Sequence, residues 1–514
     1  MADGSLNKIK HIVVLMLENR SFDNLLGWLY DPLNDPPFNQ KPPKNFEGVW
    51  GENLSNPTVD GLLVPVGRGT DPTAPNPDPG EPYEDVYAQV YGQRNVLPLG
   101  QVPPVPPAPS NMQGFLYNYT LKCQGGPVSP KIIMNCFTPK TVPVISSLAY
   151  YYGVCDHWFS SIPTQTLCNR SYVHAGTSSG YVDNGGGDGI LFVNDTPTIF
   201  NLLNDAGRKW KIYCASWILT SLALLTQCRL WDDALSDHFC QLHDFCNAAK
   251  KPGGLPDYSF IEPTYLDSLF WGAENDMHPE AKDYEFFGPS NVEQGEKLLY
   301  TVYDAVRNSP DWDSTLLIVT FDEHGGCYDH VCPPSYPKCK FAISPDGVVI
   351  PPTHIGGSGF KFDRLGVRVP AIVVSPFTDR GTISNKVYDH TSVLSTVVNC
   401  FGLPKRQLGK RQAKAPDVSE ALNLDVARQD LPPIVPPAGW NPSLEARVVD
   451  STRALLHAKG KPISHLQHRI LVGAAHRMKV SPGRVYEASQ LDTALEGDAF
   501  LMKLEAERRW KKLL

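Results

Sequence analysis

Two adjacent carboxylates, Asp322 and Glu323, follow directly on the apolar run Thr315-Leu316-Leu317-Ile318-Val319-Thr320-Phe321 and precede His324-Gly325-Gly326. Carboxylates at the end of a buried strand repel each other and lose hydration, so a positive partner is expected beside them. The glycine pair lets backbone come close to whatever binds there. A second apolar run, Ile9 to Leu17, ends in Glu18-Asn19-Arg20-Ser21-Phe22-Asp23, which sets a carboxylate beside an amide. With both runs as parallel strands, Glu18, Asn19, Asp322 and Glu323 gather four hard oxygen donors at the carboxyl edge, where open α/β sheets bind ligands. A divalent metal is the economical account. A solvated acidic turn, or a helix capped by Asn19 or Ser21, accounts for the same residues without one.

A second group suits anions. The stretch from Cys155 to Arg170 is rich in hydroxyls, and Thr166-Leu167-Cys168-Asn169-Arg170 opens a helix-like run. A hydroxyl, an Arg and the backbone N–H groups of a helix start can converge on one phosphate. A capped helix entrance with a surface Arg would carry the same residues. His390, at another helix start in Tyr388-Asp389-His390-Thr391-Ser392, can supply or accept a proton or serve only as a neighbour to the cap.

The elements that must position these groups are legible around them. The first run and its elbow read as a strand and a strand-helix turn. Thr198–Leu203 then 210–214 reads as helix and strand, 256–263 as a short strand, Val292 to Val306 as an amphipathic helix and Val367 to Ser375 as a further central strand. Residues 217–255 read as a lid or a helical layer, with the helical layer preferred. Residues 31–112 form a long Pro- and Gly-rich excursion, and its carboxylate cluster Asp78-Pro79-Gly80-Glu81-Pro82-Tyr83-Glu84-Asp85 either folds back over the elbow or forms a solvated turn. Residues 404–440 read as a Pro-rich linker and 441–514 as a basic helical extension. That tail is a solvated appendage or, given Trp510 and its cations, makes peripheral membrane contact.

At 514 residues the chain can bury a large core, and its net charge of −8 gives no reason to expect nucleic acid as a partner. No apolar stretch reaches the roughly 20 residues that a transmembrane segment needs. No secretory signal is seen, which predicts a cytoplasmic or non-classically exported chain, with its 12 cysteines as free thiols. Cys327, Cys332 and Cys339 are close enough in sequence for a disulfide or a soft-metal site, but no CxxC pair supports zinc, and free thiols are the expectation.

Taken in order, Glu18 to Asp23, Thr166 to Arg170, Asn275-Asp276-Met277-His278-Pro279, Asp322 to Gly326 with Tyr328-Asp329-His330-Val331, and Tyr388 to Ser392 resemble one family. It is the phosphoesterase family that includes bacterial and plant non-specific phospholipases C and a group of bacterial acid phosphatases. The resemblance covers about residues 9–403. It implies an alkaline-phosphatase-like α/β sandwich with a mostly parallel central sheet, to which the chain's own composition adds long loop insertions and a helical C-terminal extension outside the resemblance. It further implies a divalent metal on Glu18, Asn19, Asp322 and Glu323, which could be calcium, magnesium, manganese, iron or zinc. Thr166 would be the nucleophile, with Arg170, His278 and His390 as catalytic partners and Asn169, Glu81, His324 and His330 about the substrate.

Two departures stand out. Many relatives carry Asp-Pro-x-His where this chain has Asp78-Pro79-Gly80-Glu81, and a carboxylate there would bind a second cation or select a different head group. Cys168 stands where relatives tend to have Pro, which bears on the placement of Thr166. The expected activity is phospholipase C-type hydrolysis of a phospholipid or other phosphoester. The rivals are a broad acid phosphatase and a catalytically silent phospholipid- or polyphosphate-binding protein.

Overall fold

The structure, a computed structural model, describes residues 4–441 apart from 104–105, 107, 125, 185–193, 231–232, 234–235, 266–272, 280–290, 336–338, 340–359 and 406, together with 491, 496–497 and 499–504. Its centre is an eight-stranded sheet made of β1 (His11–Leu17), β6 (Gly153–Cys155), β7 (Trp210–Cys214), β8 (Phe239–Gln241), β9 (Tyr258–Glu262), β10 (Thr315–Phe321), β11 (Ala371–Val374) and β12 (Thr382–Ser384). The order across it is β12-β6-β11-β10-β1-β9-β7-β8. Two small ladders lie outside it, β2 (Ser55–Pro57) with β3 (Leu63–Pro65), and β4 (Gly67–Gly69) with β5 (Asn135–Phe137). Within the large sheet every pairing is parallel except the two that β11 makes, with β10 and with β6.

The long apolar runs sit in the middle because only there are both faces of a strand covered. All seven residues of β10 and six of the seven in β1 are buried. Their register matters most for the site. His11 lies opposite Thr315 and Leu17 opposite Phe321, so the chain leaves both strands at the same level and delivers Glu18 and Asp322 side by side. Helices Pro143–Tyr151 and Val292–Arg307 pack on one another and on the central strands. Helix Thr166–Ala175 packs with Leu222–Thr226 and Thr391–Phe401, and its His174 sits edge-on to Phe260 of β9.

Several expectations need adjustment. The strand expected from Val367 to Ser375 is shorter, Ala371–Val374; the residues before it pair separately, Arg368 in an antiparallel bridge with Phe159, while the Arg368 side chain enters a buried ion cluster. The helical layer over 217–255 also contains the edge strand β8. The excursion over 31–112 carries β2, β3, β4 and the helix Tyr83–Tyr91. The stretch read as a linker lies against the catalytic body: Arg411 is fully buried and pairs with Asp389 at 3.3 Å, and Trp440 donates to Thr301 at 2.8 Å. Most of 441–514 lies outside the described residues, but Phe500, Leu501 and Leu504 are buried in an apolar cluster with Tyr83, Leu167 and Trp217. Phe500, Leu501 and Leu504 are therefore packed, not solvated. All 12 cysteines are free thiols.

Glu296, on the long helix, reaches across to the first turn of Pro143–Tyr151 and accepts from the N–H groups of Val144 and Ile145. Burial pushes its carboxyl up from 4.5 to about 8. The folded chain thus keeps a proton that the unfolded chain sheds above its ordinary value. This contribution to stability is fully present below about pH 4.5 and is lost as pH rises through about 8. Urea midpoints compared across that range should fall less steeply for Glu296→Gln than for the wild type. Parallel pH profiles would show that Glu296 does not titrate in that way.

Candidate active site

Asn19 turns the chain at the end of β1 with a φ of 59°, a left-handed conformation that Asn tolerates better than most residues. Its backbone N–H donates to Asp322 Oδ1 at 3.1 Å, and Asp322 in turn fixes the N–H of Glu323 at 2.7 Å. The neighbouring turn must come very close to this elbow. A β-carbon on Gly325, which has a φ of 61°, would stand 2.1 Å from the Asn19 carbonyl oxygen. A β-carbon on Gly326 would stand 2.6 Å from the side chain of Pro79. The glycine pair is thus what lets the elbow and the loop bearing Asp78 and Glu81 close on the Asp322-Glu323 turn.

Thr166 is the first residue of helix Thr166–Ala175, and its hydroxyl donates to Asn19 Oδ1 at 3.3 Å. One turn further on, Arg170 lies fully buried between the two strand ends. Its Nε donates to Asp322 Oδ2 at 2.9 Å, and its Nη2 is 3.3 Å from Glu18 Oε1 and bonds the carbonyls of Met16 and Leu17. The ring of Tyr265 covers the guanidinium, 5.2 Å from its carbon. Tyr265 and the carboxylates of Asp322 and Glu18 raise the pKa of Arg170 in spite of its burial. The side chain expected to meet phosphate is chiefly a counter-ion to the carboxylates, although its Nη1 has no hydrogen-bond partner.

The carboxylates remain under-compensated. Burial, and then Asp322, push Glu18 well above the usual carboxylate range; burial, and then Glu81, do the same to Glu323. Neither oxygen of Glu18 has a hydrogen-bond donor, nor has Oε1 of Glu323, although all three are buried. Buried polar oxygens are ordinarily satisfied. Of Glu18, Asn19, Asp322 and Glu323, two, Glu18 and Glu323, keep buried oxygens without donors, which is the demand that a hard divalent cation would meet. Among the described residues, the groups whose ligand atoms already lie within 4.8 Å of one another are Asp23, Asp329 and His330, and Asp78, Glu81 and His278.

Glu81 does fold over the elbow. It accepts from Asn19 Nδ2, and its Oε1 is 3.3 Å from His278 Nε2. The two histidines named as catalytic partners have different surroundings. His278 is raised well above its ordinary value, the Glu81 and Asp78 carboxylates outweighing its burial. His390 lies beneath the site, with Nε2 2.6 Å from the Asp322 carbonyl and Nδ1 accepting from Trp158 at 3.4 Å. Burial lowers its pKa, so it is a neutral brace for the Asp322 backbone and not a group facing Thr166.

Three residues expected at the substrate are committed elsewhere. The amide of Asn169 accepts from the N–H of Ile162 and donates to the carbonyls of Ile162, Thr164 and Gln165, bracing the loop before Thr166. Burial lowers His324 to about 3, so its ring is neutral; Nε2 donates to Gln89 Oε1 at 2.8 Å, which commits its one proton away from the Glu323 carboxylate. His330 pairs with Asp23 at 2.6 Å in a separate cluster. The helix start is also partly closed to anions, because Asn184 Oδ1 takes the N–H of Leu167 at 2.8 Å. Asp276 belongs to the site and was not singled out from the sequence. Its carbonyl takes the N–H of Glu18, its carboxylate takes the N–H of His278, and burial, with Glu274, raises it to about 7.

The phosphoesterase family model matches residues 9–404, nearly the whole of this assembly. The chain belongs to the phosphoesterase family. It is 35% identical over 451 residues to non-specific phospholipase C3 of Arabidopsis thaliana, covering 84% of this chain and 77% of that one. Identity to phospholipase C B of Mycobacterium tuberculosis (strain ATCC 25618 / H37Rv) is 28% over 453 residues, 82% of this chain and 78% of that one. Among solved structures, a protein in the alkaline phosphatase superfamily from Vibrio parahaemolyticus matches 55% of this chain and 65% of its own, at 12% identity and a TM-score of 0.32. As a member of this family the chain is a hydrolase of phosphoric esters.

Beside the elbow, Arg368 is buried and spans Asp23 and Asp329, each at 2.9 Å. Asp23, Asp329 and His330 offer atoms close enough for a metal, but the guanidinium already supplies the positive charge there. Arg368→Met would leave two buried carboxylates unpaired and should lower stability by about 3–5 kcal/mol in urea unfolding. An unchanged midpoint would contradict this assignment.

Proposed function

We propose that the chain is a metal-dependent phospholipase C-type phosphodiesterase that releases diacylglycerol and a phosphorylated head group through a phospho-threonine intermediate. The observation that carries this reading is the hydroxyl of Thr166, held 3.3 Å from Asn19 Oδ1 beside the donor-free oxygens of Glu18 and Glu323. Relatives named as phospholipases C, from a plant and from a bacterium, support the choice of substrate class.

A divalent cation bound by Glu18, Asn19, Asp322 and Glu323 would supply Lewis-acid stabilisation of phosphate oxygens and of the Thr166 alkoxide. The protein's own groups set the direction of the reaction. Asn19 orients the Thr166 hydroxyl, whose oxygen forms a bond to phosphorus as its proton leaves. The bond from phosphorus to the glycerol oxygen breaks in line with that attack; the Thr166 proton passes to solvent, and the departing alcohol takes one from His278 Nε2. Arg170 presents its remaining Nη1 donor to the charge that gathers on the equatorial oxygens. His278, paired with Glu81, stands as the positive group for the departing oxygen. Water then cleaves the phospho-threonine and restores the hydroxyl.

Lipid substrate lies at a surface, and no helix among the described residues is long and apolar enough to cross a membrane. The turn between β2 and β3 exposes Val59, Leu62 and Leu63, which supports peripheral contact at that tip. Two displacements at one phosphorus give net retention, so a chiral phosphorothioate diester should be hydrolysed with retained configuration. Thr166→Ala should lower kcat by on the order of 10³-fold or more, and p-nitrophenyl phosphorylcholine should be cleaved faster than p-nitrophenyl phosphate. Inversion would remove Thr166 from its role, and a preference for the monoester would make the enzyme a phosphatase.

A further inference from the structure

We propose that Asp78, Glu81 and His278 form a site for a second divalent cation next to the one at the elbow. The inference rests on the proposed function, in which the elbow holds the first. Asp78, Glu81 and His278 each offer a ligand atom, and these atoms lie within 4.8 Å of one another. One imidazole and two carboxylates are a common donor set for manganese, zinc or iron.

The group is built and held in place. Gln89 Nε2 donates to the Gly80 carbonyl at 2.7 Å, and a β-carbon on Gly80 would stand 2.5 Å from Asp85, so the turn between Asp78 and Glu81 is tightly seated. His278 Nδ1 is 2.9 Å from the Pro279 carbonyl, which can only accept a hydrogen bond. Nδ1 therefore carries a proton, and Nε2 is directed to Glu81. A ring fixed through one nitrogen with the other turned to carboxylates is the arrangement by which proteins orient a metal-ligating histidine.

A separate observation comes from Glu323. Its Oε2 is occupied by the Gly325 N–H at 2.8 Å, while its buried Oε1 has no hydrogen-bond partner, and Glu81 is the charged group that acts on it most strongly. This buried, uncompensated charge beside Glu81 adds to the demand for a cation there. Charge points the same way. Glu18, Asp78, Glu81, Asp276, Asp322 and Glu323 meet Arg20, Arg170 and His278, and an arriving phosphate adds further negative charge. One divalent ion does not balance that set. With the second ion in place, the departing oxygen meets a cation where it would otherwise meet the charged imidazole.

The test is titration of the chelator-stripped full chain with Mn²⁺, read by calorimetry and by electron paramagnetic resonance. The wild type should bind two ions with dipolar broadening of the manganese signal. Glu81→Gln should bind one, with an unbroadened six-line signal and the second affinity weakened at least tenfold. Asp78→Asn, which removes a different carboxylate from the same group, should do the same, and it serves should Glu81→Gln not fold. A single ion in the wild type, lost in Asp322→Asn and unaffected in Glu81→Gln, would overturn the second site and leave the proposed function standing. No bound ion in the wild type would overturn both.

Discussion

The structure depends on one electrostatic constraint, the delivery of Glu18 and Asp322 side by side into a buried site by two paired parallel strands. The register of β1 on β10 makes this unavoidable, since Leu17 lies opposite Phe321 and each strand continues directly into its acid. Like charges in a low-dielectric setting must be neutralised or protonated. Arg170 answers part of the demand from the next helix, and Tyr265 shields it from water. The donor-free oxygens of Glu18 and Glu323 mark the part that the protein's own side chains leave unanswered.

Around that constraint the neighbouring elements serve as braces. Neutral His390 holds the Asp322 carbonyl from below, and neutral His324 is tied to Gln89 beside Glu323. Asn169 steadies the loop that leads into Thr166, and Arg368 ties Asp23 and Asp329 beside the elbow. Only close backbone approach at Gly325 and Gly326 allows the insertion bearing Glu81 to reach Asn19. A long excursion from the sheet thereby becomes one wall of the site.

The strands that carry the acids were legible because a continuous apolar run of strand length that ends abruptly in charge fits a buried strand reaching the edge of its sheet. The delivery of Glu18 and Asp322 to one edge followed from that pattern, while the fold-back of Glu81 was only one of two readings of a Pro- and Gly-rich loop. The direction of long side chains was not legible. Arg170 looks like a phosphate ligand from its place after Thr166, yet it turns back to the strands because two carboxylates there outweigh a solvated alternative. Asn169 and His330 similarly find backbone and carboxylate partners whose proximity only the tertiary structure reveals. Asp276 sits in a loop without periodicity, so nothing local separates it from its neighbours. A signal did exist for Arg368: an Arg between Val367 and Val369 in an apolar run calls for a buried anion, and Asp23 and Asp329 supply it. The three-residue strand β8 is too brief to leave a pattern in a stretch dominated by helix.

The central claim is that a cation completes the buried charge at the ends of β1 and β10. It is tested most directly by thermal unfolding of the full chain at neutral pH, after chelation and again with added manganese or calcium. An ion that binds only the folded chain, supplied at about 100 times its dissociation constant, stabilises it by about 2.7 kcal/mol, so the account predicts a clear upward shift in Tm. Superimposable unfolding curves with and without the ions would contradict it, and would mean that Arg170 and protonation of Glu18 and Glu323 suffice to neutralise the site.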